Sequence, residues 1–88
     1  MLDFEKWLSW QAEVTDAIDR EQMELKAYQT MEKMLLVRHE RAVQLDREYE
    51  LREIEGQLIQ LRLMQRMKTI LIEKWETQFH LTAKSLFN

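Results

Sequence analysis

The sequence predicts an all-α protein in which two long helices pack side by side as an antiparallel hairpin, and three observations support this fold class. The 88 residues include no proline and a single glycine, so the chain lacks the turn residues that a β or α/β fold needs. Apolar residues recur at steps of three, four and seven, which is the spacing of amphipathic helices. Aromatic residues near the two ends, Trp7 and Trp10 against Trp75 and Phe79, would meet if the chain folded back near residue 42.

A first helix is predicted from about residue 3 to about residue 40. Asp3 is its expected N-cap, because a carboxylate there can accept hydrogen bonds from the free amides of the first turn. The apolar residues of this helix form a stripe roughly 100° wide, which is enough to cover one neighbouring helix. The members of this stripe are Phe4, Trp7, Val14, Ile18, Leu25, Tyr28 and Leu35.

A turn is expected near residues 41–45, followed by a second helix from about residue 46 to about residue 84, with Asp46 as its N-cap. Folding the chain at this turn predicts which apolar residues of the two helices become neighbours. The predicted pairs are Phe4 with Leu81, Val14 with Leu71, Ile18 with Met67, Met31 with Ile54, and Leu35 with Leu51.

Two other helical architectures also fit the apolar spacing. Ala42, Leu45 and Tyr49 continue a heptad out of the first helix, so one uninterrupted coiled-coil helix is an alternative. A single helix of ~78 residues would be about 117 Å long, whereas a hairpin with ~38-residue arms would be about 57 Å long. A three-helix bundle would need a break inside the first helix, where a polar residue such as Thr15 could start a new helix.

The second helix carries an apolar arc of roughly 220°, about twice the width that one neighbouring helix covers. A homodimer in which two hairpins form a four-helix bundle would cover this arc, and a permanent partner protein would serve equally well. Gly56 lies within the helix and is interpreted as a tolerated surface position. Met31, Met34, Met64 and Met67 fall on or beside the apolar stripes and are expected mainly to fill the core.

The apolar side of the second helix that the first helix cannot cover is the candidate protein-binding surface. Ile59, Leu63, Met67 and Ile70 lie on it, and Trp10, at the edge of the first stripe, is a candidate interface anchor. The predicted function is that of a non-catalytic interaction protein, a small acidic helical adaptor, chaperone or inhibitor. A structural coiled-coil subunit of a larger assembly is an alternative.

A second alternative is a nucleic-acid-binding helical dimer. Arg62, Arg66 and Lys68 make part of the second helix locally basic and could contact phosphates. The net charge of the chain is −3, however, and Glu73 and Glu76 share the same strip. A solvated charged surface is therefore the preferred interpretation, and nucleic acid is an unlikely partner.

No motif in the sequence indicates catalysis, and we expect no enzyme activity, cofactor or metal. The chain has no cysteine, glycine-rich phosphate loop or HExxH motif. Glu76 and His80 stand one helical turn apart, but two ligands are too few for a metal site. The first residues do not resemble a signal peptide, and no stretch approaches the ~18 apolar residues of a membrane span. A cytoplasmic location is expected.

Overall fold

The protein is an antiparallel hairpin of two long helices. The computed structural model describes residues 4–87, and their side chains through residue 85. Helix α1 spans Phe4–Gln44 and helix α2 spans Glu48–Phe87. The hairpin measures 63 × 15 × 14 Å, which is the elongated shape of a two-helix coiled coil. The prediction of an all-α helical hairpin is confirmed. The expected N-cap, Asp3, lies outside the described residues.

The two alternative architectures differ from this structure at particular places. Helix α1 has no break between Phe4 and Gln44, so the third helix that Thr15 could have started does not form. The chain also turns after α1, so the heptad that runs through Ala42, Leu45 and Tyr49 does not continue as one helix. The length of 63 Å is close to the value expected for a hairpin.

The turn lies a few residues later than the predicted 41–45. Helix α1 continues to Gln44, the turn occupies 45–47, and α2 begins at Glu48 and runs to Phe87, beyond the expected end near residue 84. Ala42 explains the later position, because it is almost fully buried against α2 and so extends the packed part of α1. Sequence spacing alone underestimated the first helix because residues 38–41 are polar.

Asp46 ends the first helix rather than capping the second. Its φ is +53°, in the left-handed region that Asp tolerates better than most residues. The Arg47 amide donates to the Ala42 carbonyl at 3.0 Å, and the Asp46 amide donates to the Val43 carbonyl at 3.2 Å. This pair of bonds is a Schellman motif, which satisfies the free carbonyls at a helix C-terminus. An Asp in this sequence context has two possible capping roles, and the structure uses the C-terminal one.

The buried core divides into two parts, one at each end of the hairpin. Next to the turn, a cluster forms from Leu35, Ala42, Ile54 and Leu58, which we call the turn-end core. Toward the open end, the buried side chains are Trp7, Val14 and Ile72. Trp10 stacks on Phe79 there, with ring centroids 6.0 Å apart. The expected meeting of aromatics from the two chain ends is confirmed at this pair.

The later turn shifts the helices relative to the predicted pairs. Ile54 packs with Leu35 and Ala42 in the turn-end core. Met31, its predicted partner, lies beside Leu61 instead. Because the hairpin folds at 45–47, each residue of α1 meets a residue of α2 several positions later than the sequence-based pairing had placed it.

Candidate protein-interaction surface

The seam between the helices follows a regular spacing on α2. The α2 side chains that face α1 alternate in steps of three and four positions, as in a coiled coil. These residues, all buried or half-buried, are Leu51, Ile54, Leu58, Leu61, Gln65, Lys68, Ile72, Trp75 and Phe79. Two of the nine, Gln65 and Lys68, are polar and adjacent in this series. The seam is therefore apolar at both ends and polar near its middle.

Lys68 is the centre of this polar stretch. Its ammonium group donates to a Glu21 carboxylate oxygen at 2.6 Å and also pairs with the Glu24 carboxylate. The hydrogen bonds to Glu21 and Glu24 raise the pKa of Lys68 above its ordinary value, because they favour the charged ammonium. Near the middle of the hairpin, α1 and α2 are therefore joined by ion pairs. At its two ends they are joined by apolar contacts.

Glu32 of α1 forms the second cross-helix connection in this stretch. One of its carboxylate oxygens accepts a hydrogen bond from Arg62 Nε at 2.9 Å, and the other accepts one from Gln65 Nε2 at 3.0 Å. The bonds from Arg62 and Gln65 lower the pKa of Glu32. We refer to Glu21, Glu24, Glu32, Gln65 and Lys68 as the polar midsection.

The apolar residues of α2 in this stretch point away from α1. Their exposed fractions are 69% for Ile59, 59% for Leu63, 61% for Met67 and 56% for Ile70. Successive members are four, four and three positions apart, so they follow one side of the helix. We call these four residues the outer face of α2. The sequence singled out all four, and the hairpin leaves all four exposed.

Trp10, the fifth candidate, lies at the open end of the hairpin and is half-buried. One side of its ring stacks on Phe79. The remainder borders an open hollow lined also by Gln78, Leu81 and Thr82. Trp10 therefore helps to hold the helix ends together and also contributes apolar surface beside α2, at a distance from the outer face.

A groove between the helices forms a further apolar surface, which the sequence analysis did not identify. Met31 and Met34 of α1 and Met64 of α2 line it together with Leu35 and Leu61, and its volume is about 370 Å³. All three methionines are exposed. The expectation that Met31, Met34, Met64 and Met67 mainly fill the core is wrong, because all four side chains are 40–64% exposed. The number of methionines, six in the chain, was the available signal.

The predicted basic strip is largely neutralised by carboxylates of α1. Arg62 pairs with Glu32 and Lys68 with Glu21, both across the hairpin. Arg66 is exposed on the same helix. The three cations therefore do not form a free, continuous basic surface of the kind that phosphate contacts require.

The histidines and carboxylates of the hairpin lie apart from one another or in pairs. Within residues 4–87, no group of three or more His, Asp or Glu side chains could hold a metal ion. His39 lies 3.3 Å from a carboxylate oxygen of Glu55, and His80 presents its ring edge-on to Phe79 with centroids 6.0 Å apart. Glu76 and His80 are both exposed. The two histidines thus lie near opposite ends of α2.

Comparison with known proteins found no matching family model, no significantly similar curated protein and no significantly similar solved structure.

Neither helix, within the residues described, combines the length and apolar character that crossing a bilayer requires.

Proposed function

We propose that the protein is a non-catalytic, homodimeric interaction protein, an adaptor, chaperone or inhibitor, that binds a protein partner through the outer face of α2. The observation that supports this proposal is the exposure of Ile59, Leu63, Met67 and Ile70 on one side of one helix. Monomeric soluble proteins rarely leave such large apolar side chains contiguous and exposed unless another molecule covers them. The absence of cysteine in the chain is in keeping with a cytoplasmic setting.

The polar midsection supports a binding role over a purely structural one. At this level of the hairpin, α2 directs Gln65 and Lys68 toward α1 and its large apolar residues outward. An isolated hairpin would be expected to have the opposite arrangement, since burying one large apolar side chain contributes about 1.5–3 kcal/mol. The outward placement is explained if a partner buries these side chains.

The chemistry of the outer face indicates the kind of partner. Its residues follow the spacing that an amphipathic helix presents to an apolar groove or to another helix. Arg66 lies beside the outer face and is exposed. The expected partner therefore offers an apolar groove or helix with acidic side chains at its rim.

The proposal can be tested by affinity capture from a native lysate with a matched pair of double variants. Leu63→Glu with Ile70→Glu places two carboxylates on the outer face. Gln22→Glu with Gln29→Glu places two carboxylates at the same spacing on exposed positions of α1. Wild type and the α1 variant should retain the same proteins, identified by mass spectrometry, and the α2 variant should lose them. Retention by the α2 variant, with helix content unchanged by circular dichroism, would show that the outer face is not the binding site.

The nucleic-acid alternative has less support. Of its three candidate residues, Arg62 and Lys68 already bind carboxylates of α1. Salt-sensitive retention on heparin at low ionic strength would be the evidence in its favour.

A further inference from the structure

We propose that two copies of this chain associate through the methionine side of the hairpin, with the two α2 helices antiparallel about a two-fold axis near Met64. The methionine side consists of Met31, Met34, Gln57, Gln60, Met64 and Leu71. This inference rests on the dimer in the proposed function and adds the face, the orientation and the register. It leaves Ile59 and Leu63 of the outer face free for a different protein, while Met67 and Ile70 border the second hollow of the methionine side.

The first argument is that the open hollows lie along one side of the hairpin. The groove with Met64, a second hollow with Met67 and Leu71, and a third beside Trp10 follow one another toward the open end. Eight of the twelve α2 residues that line these hollows alternate in steps of three and four, the spacing of a second heptad seam beside the seam to α1. This second series is Gln57, Gln60, Met64, Met67, Leu71, Lys74, Gln78 and Leu81.

The opposite side of the hairpin has a different character. An ion pair crosses it from Arg62 to Glu32 at 2.9 Å, and His39 lies 3.3 Å from a carboxylate oxygen of Glu55. A helix packed there would have to remove charged groups from water, which is costly. The methionine side also carries charge, because Arg38, which pairs with Glu50 at 3.8 Å, lines its groove. What distinguishes the methionine side is the apolar lining that Met31, Met34 and Met64 give to this groove.

Charge complementarity specifies a second copy and its direction. Glu53 and Lys74 lie on α2 about three helical turns before and after Met64. In an antiparallel pair centred on Met64, Glu53 of each copy faces Lys74 of the other, and Gln57 faces Leu71. In a parallel pair, Glu53 would face Glu53 and Lys74 would face Lys74. The strip is thus complementary to itself in the antiparallel direction only.

The size of the methionine side is sufficient for a stable dimer. With the axis at Met64, residues 48–80 of the two α2 helices overlap, a length of about 50 Å. A face of that length and 15 Å wide offers about 750 Å² per copy, close to the roughly 800 Å² per partner of a typical specific interface. Within the described residues, the hairpin buries only seven apolar side chains. Packing a second hairpin against it would bury more apolar area and so increase its stability.

Cysteine crosslinking tests the face and direction directly, because the chain has no cysteine of its own. Under mild oxidation, Met64→Cys should form a disulfide with itself. A mixture of Gln57→Cys and Leu71→Cys should form the mixed disulfide in preference to either self-disulfide. Glu73→Cys, an exposed position on the polar strip, is the matched control and should stay largely uncrosslinked.

Each outcome of the crosslinking experiment supports or overturns one part of the proposed dimer. Self-disulfides at Gln57→Cys and Leu71→Cys without the mixed product would overturn the antiparallel direction. Crosslinking of Met64→Cys no faster than Glu73→Cys would overturn the face. If light scattering gives a dimer mass while the crosslinks fail, this inference is wrong and the dimer of the proposed function stands. A monomer mass for the wild type at all accessible concentrations would contradict both this inference and the dimer of the proposed function.

A charge swap tests the register independently. Glu53→Lys or Lys74→Glu alone places two like-charge pairs in the dimer and should raise its dissociation constant roughly five- to tenfold. The double variant Glu53→Lys with Lys74→Glu restores both pairs and should return the constant to within about threefold of wild type, measured by sedimentation. A double variant that is as weak as the sum of the single variants would contradict the pairing of Glu53 with Lys74.

Discussion

The turn-end core and the polar midsection use the same heptad spacing to opposite effect. In the turn-end core, Leu35 and Ala42 meet Ile54 and Leu58, and the hairpin buries its own apolar residues. In the polar midsection, Lys68 and its carboxylate partners occupy the seam, and the apolar residues of α2 face outward. The difference shows that the first region buries apolar residues of both helices, whereas the second joins the helices through charged groups and leaves apolar residues of α2 exposed.

The largest expected effect comes from removing volume in the turn-end core. Ile54 is 1% exposed, so Ile54→Ala should destabilise the protein by about 2–4 kcal/mol through lost burial and the cavity left behind. Ile70→Ala, on the outer face, should change the free energy of unfolding of the monomeric hairpin by less than about 0.5 kcal/mol. Urea denaturation of both variants at low protein concentration measures the difference. Equal losses would contradict the division between a stabilising region and a binding region.

The next effect comes from breaking the charge cluster of the polar midsection. Lys68→Leu leaves Glu21 and Glu24 without their cation and should lower the melting temperature at neutral pH. The double variant Glu21→Leu with Lys68→Leu converts this level of the seam to the apolar type of the turn-end core. Its melting temperature should equal or exceed that of wild type, because well-packed apolar residues often replace a buried ion pair without loss. A double variant less stable than Lys68→Leu alone would contradict this expectation. It would show that the ion pairs stabilise the hairpin more than apolar packing at the same positions does.

A smaller and stabilising effect is expected at Gly56, which lies between the two core positions of α2 but faces away from them. A Cβ added at Gly56 would meet no atom within 4 Å, so alanine fits without strain. Gly56→Ala should stabilise the hairpin by about 1 kcal/mol, since glycine is the poorer helix former. Thermal unfolding followed by circular dichroism measures the change. A loss of dimer or partner binding in this variant would instead reveal a close helix approach at Gly56.

The smallest expected effect is a pH dependence of stability that arises in the polar midsection. The pKa of Glu32 is lowered in the folded state, so its contribution is present above its ordinary pKa of 4.5 and is lost as pH falls through the folded-state pKa. The pKa of Lys68 is raised, so its contribution is present below its ordinary pKa of 10.5 and is lost as pH rises through the folded-state pKa. Glu32→Gln should therefore lose less stability on acidification than wild type, as measured by urea midpoints from about pH 5 to pH 3. A steeper acid loss in the variant would contradict the lowered pKa of Glu32.

Much of the fold could be predicted from the sequence, because helix type and the exposed side of α2 depend on local spacing. The periodicity of the apolar residues is sufficient to identify helical structure on both sides of the turn, and the width of the α2 arc is sufficient to identify Ile59, Leu63, Met67 and Ile70 as unpartnered. These are properties of a single helix considered alone. The same reasoning failed where two helices had to be placed against each other.

The position of the turn illustrates that failure. Asp46 can accept hydrogen bonds at a helix N-terminus or adopt the left-handed conformation at a helix C-terminus, and local sequence does not choose between the two roles. The burial of Ala42 against α2 favours the later turn, and this contact exists only in the folded hairpin. With the later turn, Met31 lies beside Leu61 rather than beside Ile54, its predicted partner.

By itself, the sequence determined that the chain is helical and, if the chain folds back as a hairpin, that one side of its second helix has no partner within that hairpin. The tertiary structure alone decided the register, the polar midsection and the methionine side. The physical reason is that helical periodicity depends on neighbours three and four residues away, whereas register depends on which distant side chains fit together. A shift of the turn by a few residues leaves every helical pattern intact and changes every cross-helix contact.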